Sequence, residues 1–238
     1  MKEDNNTKDL PKLWDTDDEL FHLVRKELYT AVVGDIMDKL GLFNQFLPPQ
    51  IVPLQENTFI VGRAMTVLEA DVNSVSSNFN PILNKPFGLM LEALDNLKEN
   101  EIYVCTGSSP DYALWGELMS VRAQKLGAAG AVVDGYSRDT IGIRNIGFPV
   151  FSHGRYAQDQ APRGKVIDYR VPIKIRAVSI NPGDIVLGDI DGVCIIPKEV
   201  EEKVFSLAIE KARGEKMVMK KIEEGMSAKD AFEKYGIM

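Results

Sequence analysis

The sequence predicts an α/β fold, with a helical segment before one central domain and a helical arm after it. Three observations predict it. Apolar residues recur at helical spacing near both ends of the chain. In the middle, a helix-length segment lies between short apolar strands with glycines at the junctions. A run of β-branched segments joined by tight turns then follows. No internal repeat and no low-complexity linker divides the 238 residues. One core suffices at this length, where folding hides about 70–75% of the unfolded surface. We therefore expect a flexible arm at 1–15, the α/β domain at 16–198, and a C-terminal helical extension at 199–238 packed on that domain or on a neighbouring subunit.

The elements follow in order. Thr16 with Glu19 three positions on reads as a capping box, and Leu20, Leu23, Val24 and Leu28 follow at helical spacing. Thr30 opens a second helix carrying Val33, Ile36, Met37 and Leu40, stopped by Gly41. Three prolines between Leu47 and Gln55 restrict that stretch to loop or edge strand. Thr58–Ala70 reads as a strand with a glycine bend at Gly62, whereas Asp71–Lys85, rich in Asn and Ser, gives no clear signal. Leu89–Leu97 has helical spacing, Glu101–Thr106 is a strand, and Gly116–Leu126 is a helix with Gly127 as its stop. Strands are expected at Gly130–Asp134 and Pro149–Ser152, over Val171–Ile180, and at Asp184–Leu187 and Val193–Ile196. The turns Asn181–Asp184 and Gly188–Gly192 connect the last of these. After Pro197 the chain is helical, and Ser227 with Asp230 caps a final short helix ending at Gly236.

Composition excludes several classes. Apolar residues make up 45% and charged residues 26%, the balance of an ordinary globule rather than a disordered chain. The net charge of −7 argues against a general phosphate-backbone binder, so we expect no nucleic-acid partner. Cys105 and Cys194 lie in strand-like apolar runs and read as reduced core thiols, and two histidines cannot build a histidine-rich zinc site. With no signal-peptide-like start and no run of bilayer length, the expectation is a soluble, cytoplasmic protein without a membrane partner. Neither a dinucleotide fingerprint nor a P-loop nor a nucleophile elbow is present.

The chemistry-bearing segment is Gly127–Asp139, GAAGAVVDGYSRD. At the C-terminal end of its strand, where α/β sheets bind ligands, stand Asp134, Gly135, Arg138 and Asp139. An adjacent guanidinium and carboxylate can hold an acid and a hard cation side by side, although the same pair is equally at home on a surface turn. The preceding helix adds context, and on the residues alone both readings stay open. Its first turn, Gly116, Glu117, Leu118 and Met119, offers unpaired amides and the positive end of the helix dipole. If helix and strand pair as usual, Gly116–Met119, Arg138 and Asp139 face one pocket. Asp189 and Asp191 read as turn residues, His153 as an ordinary hydrogen-bonding histidine, and the charged stretch Glu210–Gly225 as a solvated helical face.

The spacing of Gly116-Glu117 and Arg138-Asp139, with twenty residues between Glu117 and Arg138, resembles the RraA-like family. So do TAVVGDIMDKLG (Thr30–Gly41), VGRAMTV (Val61–Val67) and PGDIVLGDIDGVCIIP (Pro182–Pro197). That family includes class II 4-hydroxy-4-methyl-2-oxoglutarate aldolases and the regulator of ribonuclease E activity. The resemblance implies a single β/β/α swivelling, phosphohistidine-domain-like fold. It also implies a metal-dependent lyase that releases pyruvate from a 4-hydroxy-2-keto acid and decarboxylates oxaloacetate. Further implications are a homotrimer or dimer of trimers, and Mg²⁺ or Mn²⁺ held by Asp139 as its one direct protein ligand. Gly116–Met119 and Arg138 would hold the keto acid, Glu117 would manage the proton, and an acidic residue near Asp35 would approach from a neighbouring subunit. The alternatives are a non-catalytic regulator of a ribonuclease, or a lyase for a different, sugar-derived acid. Two features depart from the family pattern: Gly142 stands where an acidic residue is usual, and Asp71–Asn100 is longer and more polar, leaving the distal half of the pocket open.

Overall fold

The computed structural model describes residues 13–72 and 80–237. Most of the expected N-terminal arm, and residues 73–79 of the Asn/Ser-rich stretch, lie outside the described residues. In chain order the elements begin with α1 (Asp17–Glu27), α2 (Thr30–Lys39), β1 (Val52–Pro53), β2 (Ile60–Asp71), α3 (Met90–Asp95) and β3 (Glu101–Thr106). There follow β4 (Ala113–Trp115), α4 (Glu117–Lys125), β5 (Gly130–Val133), β6 (Tyr136–Ser137), α5 (Thr140–Ile146) and β7 (Val150–Ser152). The chain closes with β8 (Gly164–Tyr169), β9 (Ile173–Ile175), β10 (Val178–Ile180), β11 (Ile185–Asp189), β12 (Gly192–Ile196), α6 (Glu201–Glu223) and α7 (Ala228–Tyr235).

The main sheet runs β1-β7-β5-β3-β2-β11-β12, with β8 paired to the far half of β2. Strands β2, β3, β5 and β7 are mutually parallel, and β1, β8, β11 and β12 join antiparallel. The period-2 alternation of strand side chains sorts the core into an outer and an inner face. Tyr103, Cys105, Ala131 and Val133 point outward beneath α3, α4 and α5, and Val61, Leu187, Cys194 and Ile196 point outward beneath α1, α2 and α6. Ile102, Val104, Val132, Val186, Val193 and Ile195 point inward, where the β9-β10 hairpin covers them. Both thiols are fully buried, and burial pushes each above its ordinary pKa, as suits packing residues.

Local chemistry fixes the ends. The capping box at α1 forms, with the Glu19 amide donating to Thr16 Oγ1 at 3.3 Å and the Glu19 carboxylate accepting from the Thr16 amide. Arg63 on β2 ties both termini to the sheet: Nε donates to Asp17 of α1 at 2.8 Å, Nη1 to the Gly183 carbonyl at 3.1 Å, and Nη2 to Glu201 of α6 at 3.1 Å. Asp189 accepts from the amide and hydroxyl of Thr30 at 2.8 and 2.7 Å, capping the start of α2, and from the Asp191 amide at 2.9 Å. The Asp-x-Asp spacing is therefore a turn and a cap.

The structure corrects the strand reading in two respects. Gly62 makes no bend; it is small because the Asn100 carbonyl passes 2.4 Å from where a Cβ would stand, and the irregularity in β2 lies between Leu68 and Glu69. Four elements have no counterpart in the sequence reading: β4, β6, α5 and β8. Two of them build the candidate site.

Candidate functional site

Strands β4 and β6 pair in parallel, Ala113 with Tyr136 and Trp115 with Ser137. The Arg138 amide extends the pairing by donating to the Trp115 carbonyl at 2.9 Å. This short ladder sets the start of α4 beside Arg138 and Asp139. Gly116 is the N-cap of α4 in extended backbone, and a Cβ there would come within 2.8 Å of Asp139 Oδ2. Asp139 itself sits in the left-handed region (φ 57°, ψ 33°) at the head of α5, a conformation that Asp tolerates at a cost of about 1–2 kcal/mol. Its carboxylate reaches back and accepts from the Glu117 amide at 3.3 Å. One of the amides expected to be free for an anion is thus taken up by Asp139.

Arg138 is held between two carboxylates, Asp139 (Nε to Oδ2, 3.6 Å) and Asp159 (Nη1 to Oδ1, 3.1 Å), and all three side chains remain roughly half exposed. Nothing in the spacing pointed to Asp159. It arrives on an irregular segment pinned by bridges from Ala113 to Asp159 and from Ser137 to Arg155. Glu117 also reaches an unexpected neighbour: a Cβ on Gly142 would lie 2.1–2.5 Å from its carboxylate atoms. Gly142 therefore leaves the room that the Glu117 carboxylate occupies.

Three openings meet at Asp139. One of about 340 Å³ is lined by Ser137, Arg138, Thr140, Arg155 and Tyr156, and one of about 550 Å³ by Glu117, Thr140, Ile141, Gly142, Arg144 and Arg155. The third, about 290 Å³, runs between α3 and α4. Among the described residues no group of three or more His, Cys, Asp or Glu side chains is placed to hold a metal. A single half-exposed carboxylate suits a hard cation that keeps most of its water, and Asp139 could supply it, although its Oδ2 is already shared by Arg138 and the Glu117 amide.

Two other acidic residues stand apart. Asp35 on α2 is ion-paired to Lys211 of α6, which also bonds Glu215 at 2.8 Å. Helix α2 packs on α6, β11 and β12, so within one chain Asp35 is not brought to the α4 rim. Asp134 accepts from Thr106 at 2.7 Å and pairs with His153 at 3.1 Å. Burial pushes its carboxyl up, but these two bonds, together with the electrostatic pull of His153 and Arg176, hold it below its ordinary value. His153 lines none of the three openings.

A mixed sheet that gathers a helix start, a guanidinium and a carboxylate at one rim defines an α/β scaffold with a polar rim. The chain belongs to the RraA-like family (Aldolase/RraA), whose sequence profile matches residues 30–195. A protein of Halalkalibacterium halodurans provisionally named 4-hydroxy-4-methyl-2-oxoglutarate aldolase is 31% identical over 204 residues, covering 85% of this chain and 89% of its own. A chain from a crystal-structure study of novel cellulases from microbes of the gut ecosystem is 35% identical (TM-score 0.76, covering 85% and 88%). RraAS2 of Streptomyces coelicolor, an unusual member of the RNase ES inhibitor RraA family, shares the fold at 21% identity (TM-score 0.72, covering 86% and 98%). The expected fold class is the observed one. No helix among the described residues is long and apolar enough to cross a membrane.

Proposed function

We propose that this protein is a divalent-metal-dependent carbon–carbon lyase that releases pyruvate from a 4-hydroxy-2-keto acid and decarboxylates oxaloacetate as a second activity. The observation that carries this reading is the convergence of the α4 amides, Arg138 and Asp139 on one rim, which the β4-β6 pairing imposes. Similarity to aldolase-named relatives supports the lyase class.

Both reactions break a bond next to a 2-keto acid and leave negative charge on the pyruvate fragment. Arg138 presents a fixed guanidinium to that acid, in the planar geometry that pairs with carboxylates. The amides of Leu118 and Met119, which find no partner among the described residues, lie at the positive end of α4 and favour the same anion. Asp139 would hold Mg²⁺ or Mn²⁺, which when bound supplies Lewis-acid stabilisation of the developing charge. Glu117, packed over Gly142 and beside Asp139, is placed to hold or pass the proton that the pyruvate fragment must regain. In this reading the chain works as a trimer or dimer of trimers in the cytoplasm, with the acidic residue near Asp35 facing a neighbour's site. A regulator of ribonuclease activity is the second reading, suggested by the fold shared with RraAS2.

The experiment is pyruvate release from oxaloacetate and from 4-hydroxy-4-methyl-2-oxoglutarate, with Mg²⁺, with chelator, and with Asp139→Asn. The expected result is metal-dependent release that falls at least about 100-fold in the variant, the scale lost when a charge-stabilising group is removed. Release no faster than Mg²⁺ alone, or full activity in Asp139→Asn, would reject it.

A further inference from the structure

The opening between α3 and α4 shares Gly116, Arg138 and Asp139 with the rim just described, so a ligand seated at the rim can reach into it. Its remaining wall is mostly apolar, chiefly Phe87, Met90, Leu91, Leu94, Leu118 and Met119, and four of these six come from residues 87–94 on and just before α3. Two polar groups complete the lining. Asp159 is paired with Arg138 at 3.1 Å, and Gln160, itself buried, donates from Nε2 to Glu69 at 2.6 Å. Among the described residues the cavity has no cation beyond Arg138, and its second carboxylate repels a negative tail. A charged substituent placed here would lose its hydration without gaining a partner, whereas an apolar one would be removed from water.

From this lining we infer that the cavity is the subsite for an apolar substituent, alkyl or aryl, on the 2-keto acid that the site takes. The inference deepens the lyase reading and, for turnover, rests on it. A second carboxylate on the substrate would instead have to turn toward Arg155, because Arg144 donates from Nε to the Leu54 carbonyl at 3.0 Å.

The test has a binding arm and a turnover arm. Trp115 lines the cavity and the other tryptophan is Trp14, so fluorescence of Trp14→Phe protein reports on the cavity. Titration in Mg²⁺ buffer with phenylpyruvate and with 2-oxoglutarate compares an apolar with a charged tail on the same head group. Phenylpyruvate is expected to bind at least tenfold more tightly. Leu91→Arg, on the exposed lip, should remove or reverse that preference. In turnover, the aldol adduct of pyruvate with benzaldehyde should be cleaved with a kcat/KM at least tenfold above that of the adduct with glyoxylate. Equal or tighter binding of 2-oxoglutarate overturns the subsite, and if the glyoxylate adduct still yields pyruvate the lyase reading survives. Preferential binding of phenylpyruvate with no pyruvate from any adduct or from oxaloacetate upholds the subsite and rejects the lyase. Failure of both keto acids to bind overturns the subsite.

Discussion

Replacing Glu69 by glutamine tests whether the wall behind the site holds a neutral acid. Glu69 lies on β2, is 2% exposed, and accepts from Gln160 Nε2 at 2.6 Å, with the Cys105 thiol as its other neighbour. Burial pushes its carboxyl up to about 8, and the charge of Asp71 adds to the shift. The unfolded chain gives it an ordinary value of 4.5. Between those two values the folded protein holds a proton that the unfolded chain has released, so stability falls as pH rises. A gap of three to four units at about 1.4 kcal/mol each gives an upper bound near 5 kcal/mol. Relaxation around an ionised Glu69 reduces this, and we expect about 2–3 kcal/mol between pH 5 and pH 8. The glutamine side chain in Glu69→Gln cannot ionise and keeps an acceptor for Gln160. The assay is urea denaturation of both proteins from pH 4.5 to 8.5, read by tryptophan fluorescence. Glu69→Gln should match the parent near pH 4.5 and gain on it steadily as pH rises. A stability difference that stays flat across this range would refute the neutral, buried carboxyl.

Two further predictions rest on packing. Gly142→Ala puts a methyl group where the Glu117 carboxylate lies, yet alanine is the better helix former by about 1 kcal/mol. The variant should hold or gain stability while kcat drops roughly tenfold to 100-fold, the scale of a misplaced reacting group. Adding Glu117→Asp, whose shorter side chain clears the methyl, should recover part of it; unchanged kcat in Gly142→Ala would show that this placement of Glu117 is immaterial. Arg63→Ala leaves Asp17 and Glu201 without their shared cation and should cost about 2–4 kcal/mol in urea denaturation at pH 7. The bond from Arg63 holds the Asp17 carboxyl below its ordinary value of 3.8, so this contribution is present above that pH and fades as pH falls below it. The difference between parent and variant should shrink on acidification, and a constant difference would contradict the pairing.

Much of the fold was legible because its signals are local. The capping box at Thr16, the period of α2, the strands at Glu101 and Gly130, and the stop at Gly127 each depend on residues within about a turn or a strand of one another. That Gly116–Glu117 would meet Arg138–Asp139 was an expectation from the habit by which helices and strands pair, but the β4-β6 ladder that brings them together was not read from the sequence. The elements that were missed are those with weak local signals. Strands β4 and β6 are three and two residues long and exist by pairing with each other, and α5 is seven residues long. Strand β8 forms against β2, nearly a hundred residues earlier in the chain.

By itself the sequence determined which residue types stand at which spacing: an acidic residue at a helix start, an Arg-Asp pair at a strand end, and β-branched strands between helices. Tertiary structure alone decided how those groups are occupied. It placed Asp159 against Arg138, turned the Asp139 carboxylate onto the Glu117 amide, laid Glu117 over Gly142, and walled one opening with the side chains of α3 and α4. The physical reason is range. Helix periods, caps and turns are short-range preferences of the backbone, whereas the partner of a carboxylate and the polarity of a cavity depend on segments that only the packed sheet brings within a few ångströms.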